Sequence, residues 1–247
     1  MSEKSGRINH EPAFLLTATP WRESSLWLEM FSRRYGRVAL LGRSARKAQS
    51  ELRGVLVPFV PISASWYGSQ ELKTLHRAEW LGGWPQPQGR ALFSGLYVNE
   101  LVLKLTARED PHPKLYDALA TVMSRIAVVP NHVADLRVFE WTLMKELGLA
   151  PDLAQDANEA EISEQQRYYL APQQAVEPLS AAGAGAIEGV TVDGGTLIGL
   201  REGRFYSGKH LQQALQLNRM LLDFYLPQGI KSRQVLQQMQ DFQTGIL

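Results

Sequence analysis

The chain has 247 residues, 26 basic and 25 acidic side chains, a formal net charge of +1 and an apolar fraction of 45%. That is ordinary for a soluble globular protein and enough for one large domain or two to three small ones. It has no cysteine, which excludes disulfides and any zinc site that needs thiolates. Its five histidines (His10, His76, His112, His132, His210) form neither an H-x3-H pair nor an HExxH motif. No run approaches the roughly 18 apolar residues of a membrane span, and the polar opening MSEKSGRINHEP lacks the apolar core of a signal peptide. A cytoplasmic location without a membrane partner is expected. The neutral average hides a segregation: residues 1–80 carry +5, 81–150 zero, 151–200 −7 and 201–247 +3. Asymmetry of this kind is one form in which nucleic-acid binding hides in a neutral chain.

From Ala13 to Leu81 the sequence reads as all-β. Strands are expected over 13–19 (AFLLTAT), 25–32 (SLWLEMFS), 36–42 (GRVALLG), 54–66 (GVLVPFVPISASW) and 70–77 (QELKTLHR), with period-2 patterning. Five short strands suit a small closed barrel of the OB type; a five-stranded SH3-like barrel fits the pattern nearly as well. Residues 81–90 (LGGWPQPQGR) hold three glycines and two prolines and read as a linker. Helices are expected over 91–108, 113–128, with Pro113 in its first turn, and 131–147, with Asn131 as cap and Gly148 as stop. Residues 150–200 are acidic and weakly periodic; a short hairpin near RYYLAP and a loop through SAAGAGAIEGVTVDGG are expected. The last 47 residues return to helix, ending with KSRQVLQQMQDF, where Ser232 is a candidate cap. The fold class is thus α+β: an OB-fold barrel over 1–80, a linker at 81–90 and a mainly α-helical domain over 91–247 with a loop-rich acidic insertion at about 150–200.

The densest chemical feature is basic. Arg33, Arg34, Arg37, Arg43, Arg46, Lys47 and Arg53 face one anion, Glu51, within 21 residues. Cations on strands and hairpins suit a folded surface that meets phosphate. Trp27, Phe31, Tyr35, Phe59, Trp66 and Tyr67 are available for base stacking, although a small barrel needs such side chains for its core. Enzyme readings find no support: G-x-S-x-G, Walker and Rossmann motifs and a cysteine nucleophile are all missing. Asp152, Asp156, Glu159, Glu161 and Glu164 raise a metal-dependent nuclease, but their loop-like, Ala- and Gln-rich setting reads as solvated charge. In the helix LFSGLYVNELVLKL, Gly95 implies close packing to offset about 1 kcal/mol of propensity, and Asn99 and Glu100 read as structural polar residues.

The order of AFLLTATPWRESSLWLEMFSRRYGRVALLGRSAR, LRGVLVPFVP, LFSGLYVNELVLKL with DPHPKLYDAL, and IKSRQVL resembles the RecO family of bacterial DNA repair proteins along nearly the whole chain, least over 150–200. The resemblance implies an OB fold followed by a helical domain. It also implies binding of single- and double-stranded DNA, annealing of complementary strands, and, with RecR, RecA loading on strands coated with single-strand-binding protein (SSB), without covalent chemistry or a cofactor. A nucleoid-associated, cytoplasmic repair role follows; an OB-fold RNA-binding or translation-associated module is the alternative.

Arg37, Arg43, Arg46 and Arg53 match basic positions of the family, while Arg33, Arg34 and Lys47 rest on charge alone. Two departures stand out. Many members carry a four-cysteine zinc module in the second half, which a cysteine-free chain cannot build. Ser44 also stands where the family often has glycine. Family members bind the acidic-apolar C-terminal tail of SSB through the helical domain. Arg137, beside the Leu136, Phe139 and Leu143 stripe, is the candidate for its carboxylate end, with Lys114 and Arg125 assisting. The competing reading of Arg137 pairs it with Glu140 or lays it over Trp141.

Overall fold

A computed structural model describes residues 6–179 and 189–244, with side chains through residue 238. Packing groups the chain up to Pro130, together with residues from Ile230 onward, into one compact unit, and Asn131–Gly229 into a second.

The first unit is built on a closed barrel of β1 (Arg7–Trp21), β2 (Ser25–Ser32), β3 (Gly36–Gly42), β4 (Pro61–Tyr67) and β5 (Leu72–Trp80), in the order β1-β2-β3-β5-β4. β3 and β5 run parallel; every other neighbouring pair is antiparallel. That one parallel pairing and the closure of β4 on β1 give the OB arrangement and dismiss an all-antiparallel SH3-like barrel. Alternate residues point inward, so Ala13, Leu15, Leu28, Met30, Val38, Leu40, Ile62, Ala64 and Trp66 fill the interior.

The expected strand over 54–66 is corrected. Glu51–Gly54 is a short 3-10 helix, residues 55–60 are irregular, and β4 begins only at Pro61. Pro58 has no N–H to give to a ladder, and Phe59 sits at φ +73°, outside the strand region. The apolar run packs as a half-buried loop, with Phe59 and Val60 buried, rather than as a strand.

Helices α1 (Arg90–Leu105) and α2 (Pro113–Val128) follow, and α6 (Lys231–Thr244) returns to the same unit. The buried face of α1 is Gly95, Val98, Asn99 and Val102, with Tyr97 and Leu101; Leu92 and Leu96 are exposed. Gly95 admits the Phe59 ring, whose atoms lie 2.9 and 3.0 Å from where a Cβ would stand. Buried Asn99 donates to the carbonyls of Leu15 (3.1 Å) and Leu16 (3.2 Å), at the bulge between Leu15 and Thr17. Glu100 accepts the N–H groups of Lys231 (2.7 Å) and Ser232 (2.8 Å). The first turn of α6 is therefore capped by a carboxylate from α1, not by Ser232. Residues 81–89 are irregular but strapped down: Trp84 Nε1 donates to Phe59 O (2.8 Å) and Gln86 to Pro58 O (3.0 Å).

The second unit holds α3 (Val133–Glu146), a three-stranded sheet of β6 (Arg167–Leu170), β7 (Glu177–Pro178) and β8 (Val190–Asp193) in the order β7-β6-β8, then α4 (Gly194–Glu202) and α5 (Gly208–Tyr225). His132, not Asn131, takes the cap position of α3, while Gly148 ends it at φ +69°. The expected hairpin at RYYLAP is the β6–β7 pair. The expected loop is corrected from Val190 on, where β8 and α4 form; its residues 180–188 lie outside the described ones. Tyr168, Leu170, Val176, Val192, Leu153 and Ile162 are buried there. Asp156 organises the turn before β6 by accepting N–H bonds from Asn158 (2.8 Å) and Ala160 (3.1 Å). Apolar packing and an aspartate-capped turn thus order the described residues between Leu153 and Val192 without thiolates.

Asn99→Ala removes two hydrogen bonds to buried carbonyls and should cost about 2 kcal/mol of stability. Urea unfolding monitored by circular dichroism checks this as a lower midpoint at unchanged slope.

Candidate nucleic-acid interface

Barrel register splits the basic stretch in two. Ser32 pairs with Gly36 and Leu26 with Gly42. Arg33 and Arg34, in the β2–β3 turn, and the loop after β3 therefore lie at opposite ends of these strands, roughly 20 Å apart.

The first group is engaged within the molecule. Arg33 makes two parallel bonds of 2.9 Å to Asp117 of α2, and those bonds hold the Asp117 carboxyl below the ordinary carboxylate range. Arg34 Nε lies 2.5 Å from Glu11 Oε2. Fully buried Glu11 also accepts Ser32 Oγ (2.9 Å) and the Arg34 N–H (2.8 Å), which fixes the turn. Arg37 bonds Glu29 through Nη1 (3.0 Å) and the Thr106 carbonyl through Nε (3.1 Å) and Nη2 (3.0 Å). Arg108 bonds the same Glu29, reaches Glu71 and lies 5.8 Å from the centre of the Trp27 ring. Burial pushes the Glu29 carboxyl up, but hydrogen bonds from Arg108 and Trp27 and the charges of Arg108 and Arg37 outweigh it and hold it low. Close approach of the chain following α1 completes this joint: Glu109 N–H bonds Arg37 O (2.9 Å), and a Cβ on Gly36 would stand 2.0 Å from the Asp110 carbonyl oxygen. Arg37, matched to a basic family position, is a half-buried structural residue here.

The second group is outward. The Arg46 N–H bonds the Ser24 carbonyl (2.9 Å), and its guanidinium reaches the carbonyls of Arg22 (3.4 Å) and Glu23 (3.3 Å). These bonds place the loop after β3 beside the β1–β2 hairpin. Ala45 is buried beneath it, and Ser44 adopts φ +56°, the left-handed region that explains a family preference for glycine at this position. Arg43, Lys47 and Arg53 are exposed, and among the described residues their side chains have no intramolecular partner. Arg22, on the hairpin and also exposed, joins them. Next to it Trp21, 38% exposed, packs on Trp27 at 5.3 Å. Arg22 and Trp21 escape a scan for local charge density, yet pairing SLWLEMFS with GRVALLG brings the 43–47 turn to the 22–24 turn. Of the candidate stacking aromatics, Phe31, Phe59 and Trp66 are core, Trp27 and Tyr35 are half-buried, and Tyr67 is exposed.

Arg137 is 7% exposed. Its Nη2 lies 2.5 Å from Glu140, itself 1% exposed, and Asn218 of α5 ties the pair together by donating to Glu140 Oε2 and the Arg137 carbonyl, both at 2.9 Å. The exposed guanidinium needed to receive a peptide carboxylate is not what the fold presents; the pairing with Glu140 is. Lys114 and Arg125 are exposed on α2, eleven residues apart and so on one face three turns along. Asp152 and Asp156 cap their own turns. Among the described residues no three His, Asp or Glu side chains are grouped to hold a metal, and no helix is long and apolar enough to cross a membrane.

A closed β1-β2-β3-β5-β4 barrel continued by helices defines an OB-fold protein with a helical second half. Family models described as Recombination protein O N terminal and Recombination protein O C terminal match residues 7–84 and 86–234, meeting within the stretch strapped to the barrel. The chain is 64% identical over 239 residues to DNA repair protein RecO of Neisseria gonorrhoeae, covering 96% of each. It is 44% identical over 248 residues to that of Aromatoleum aromaticum, covering 98% of this chain and all of that protein. The chain belongs to the RecO family of DNA repair proteins.

Two predictions follow from the paired groups. Because the folded carboxyl of Glu29 titrates below its unfolded value of about 4.5, the unfolded state binds more protons in acid. Its contribution is full above that value and is lost as pH falls through the folded one. Glu29→Gln should flatten the decline of stability below about pH 5, read from unfolding curves across pH. Arg137→Ala takes the guanidinium from buried Glu140 and should cost about 3–5 kcal/mol, whereas Arg137→Met with Glu140→Leu should recover most of it, checked by chemical denaturation.

Proposed function

We propose that this protein binds single- and double-stranded DNA on the barrel end formed by the β1–β2 hairpin and the loop after β3, and anneals complementary strands there. Arg22, Arg43, Arg46, Lys47 and Arg53 neutralise backbone phosphates, giving salt-dependent affinity and screening the repulsion between two strands. The observation that carries this reading is the exposure of Arg43 and Lys47 beside the hairpin, and of Arg53 further along the same loop, with side chains unpartnered among the described residues, while Arg33, Arg34 and Arg37 are engaged by Asp117, Glu11 and Glu29. Arg33 and Arg34 are a secondary contact at the opposite end.

Family membership supports the wider role: a cytoplasmic, cofactor-free mediator that engages the C-terminal tail of SSB, acts with RecR and promotes RecA loading on SSB-coated strands. Exposed Lys114 and Arg125 are the residues of the helical part assigned to the tail; Arg137 belongs to the buried polar cluster of α3 and α5. Annealing needs neither ATP nor a metal.

The experiment is annealing of SSB-coated complementary strands without ATP or divalent cation. Arg43→Glu with Lys47→Glu should slow it, weaken DNA binding by about tenfold or more and reduce the salt slope by roughly two. Lys114→Glu with Arg125→Glu should weaken binding of an SSB C-terminal peptide and leave binding of free DNA within twofold. No annealing by the wild-type protein would sink the reading, and equal damage to DNA and peptide binding by both variants would end the division of labour.

A further inference from the structure

The barrel carries a second aromatic feature away from the Trp21–Trp27 pair. Trp80, the last residue of β5, is 61% exposed. A tryptophan left in water forgoes a large burial gain, and this one borders a groove of about 520 Å³ lined by Gly54, Val55, Val57, Val60, Trp84 and Pro85, among others. The second tryptophan of the groove is held in place. The Trp84 Nε1 is bonded to Phe59 O at 2.8 Å, its ring stacks on Phe14 at 6.4 Å, and Phe59 in turn sits in the gap left by Gly95. Gly82 and Gly83, at φ +80° and +124°, turn the chain from Trp80 back to Trp84, and the Leu81 N–H is anchored on the Pro61 carbonyl (3.2 Å).

A cation stands next to the groove in the chain: Gly54, a lining residue, directly follows exposed Arg53 at the end of the 3-10 helix, on the loop proposed to bind phosphate. Two tryptophans and three valines lining one groove, with a cation next in the chain, match one partner chemistry, an unstacked nucleobase with its phosphate at the rim. Aromatic faces accept any base by stacking, whereas a duplex keeps its bases stacked inside and offers the groove nothing.

We propose that the groove lined by Trp80 and Trp84 is a nucleobase site, an added contact that only an unpaired strand can make. The proposal rests on the reading that the basic loop binds DNA, and it adds the distinction between strand types that phosphate contacts alone do not make.

The test uses full-length protein and fluorescein-labelled oligo(dT), a hairpin duplex, and an abasic strand of equal charge, compared by anisotropy. Trp80→Ala should lower oligo(dT) affinity by roughly 5- to 100-fold, the range for one stacked base, with duplex and abasic-strand affinities within twofold. Trp80→Phe should retain most of the oligo(dT) affinity, and oligo(dT) should quench intrinsic tryptophan fluorescence more in the wild type than in Trp80→Ala. Unchanged oligo(dT) affinity in Trp80→Ala, with steep salt dependence intact, overturns the base site and leaves the basic loop standing; so does an equal loss for all three DNAs. A concentration-dependent dimer abolished by Trp80→Ala, with oligo(dT) affinity unchanged, assigns the groove to a second copy instead. Absence of salt-dependent DNA binding by the wild type removes the DNA reading and the base site with it.

Discussion

A carboxylate taken out of water needs cations and donors around it, and two such groups govern this barrel. Glu11 and Glu29 point from β1 and β2 into places where solvent scarcely reaches. Glu11 takes Arg34 and the backbone and hydroxyl of the β2–β3 turn; Glu29 takes Arg37 from β3 and Arg108 from the segment after α1. The same bonds that satisfy the acids join strands to each other and fasten the chain beyond the barrel to its wall. They also sort the arginines. Those near a buried acid are consumed by the fold, and those on the loop after β3, where no acid waits, face solvent.

Much of this sorting was present in the sequence in a form that charge counting does not read. In LWLEMFS, Glu29 is the one charged residue in an apolar strand, and a lone acid there asks for a cation across the sheet. The register that sets Glu29 against Ala39 and Phe31 against Arg37 supplies it diagonally. β2 and β3 were legible to the residue because both alternate and both end at turns. The apolar run 54–60 was not, since a packed loop and a strand look alike when every residue is apolar; the positive φ of Phe59, whose ring packs against Gly95, separates them. α4 was obscured by glycines at 194, 195 and 199, which lower helix propensity but permit the close approach of Ser163, His210 and Phe205.

Arg137 teaches a different lesson. Its neighbours along the helix suggested a groove edge, and its intrahelical partner Glu140 was visible at i+3. What decides its environment is Asn218, 81 residues further on, which closes a polar cluster between α3 and α5. Such a partner leaves no local trace. The adjoining 150–200 stretch shows the same principle in reverse: without cysteines it relies on Tyr168, Val176 and Val192 and on the Asp156 turn, none of which announces itself by periodicity.

The carboxylate of Glu100 also bears on the order of events in folding. Its bonds to the N–H groups of Lys231 and Ser232 span 131 and 132 residues, with the whole of the second unit strung between their partners. Closing so distant a pair carries a loop entropy that grows only slowly with length, but it must await both partners. During synthesis the barrel with α1 and α2 emerges well before α6, and the α1 surface that α6 covers stays open until the intervening unit has been made. The first unit is therefore among the earliest parts of the chain to begin folding and among the last to finish.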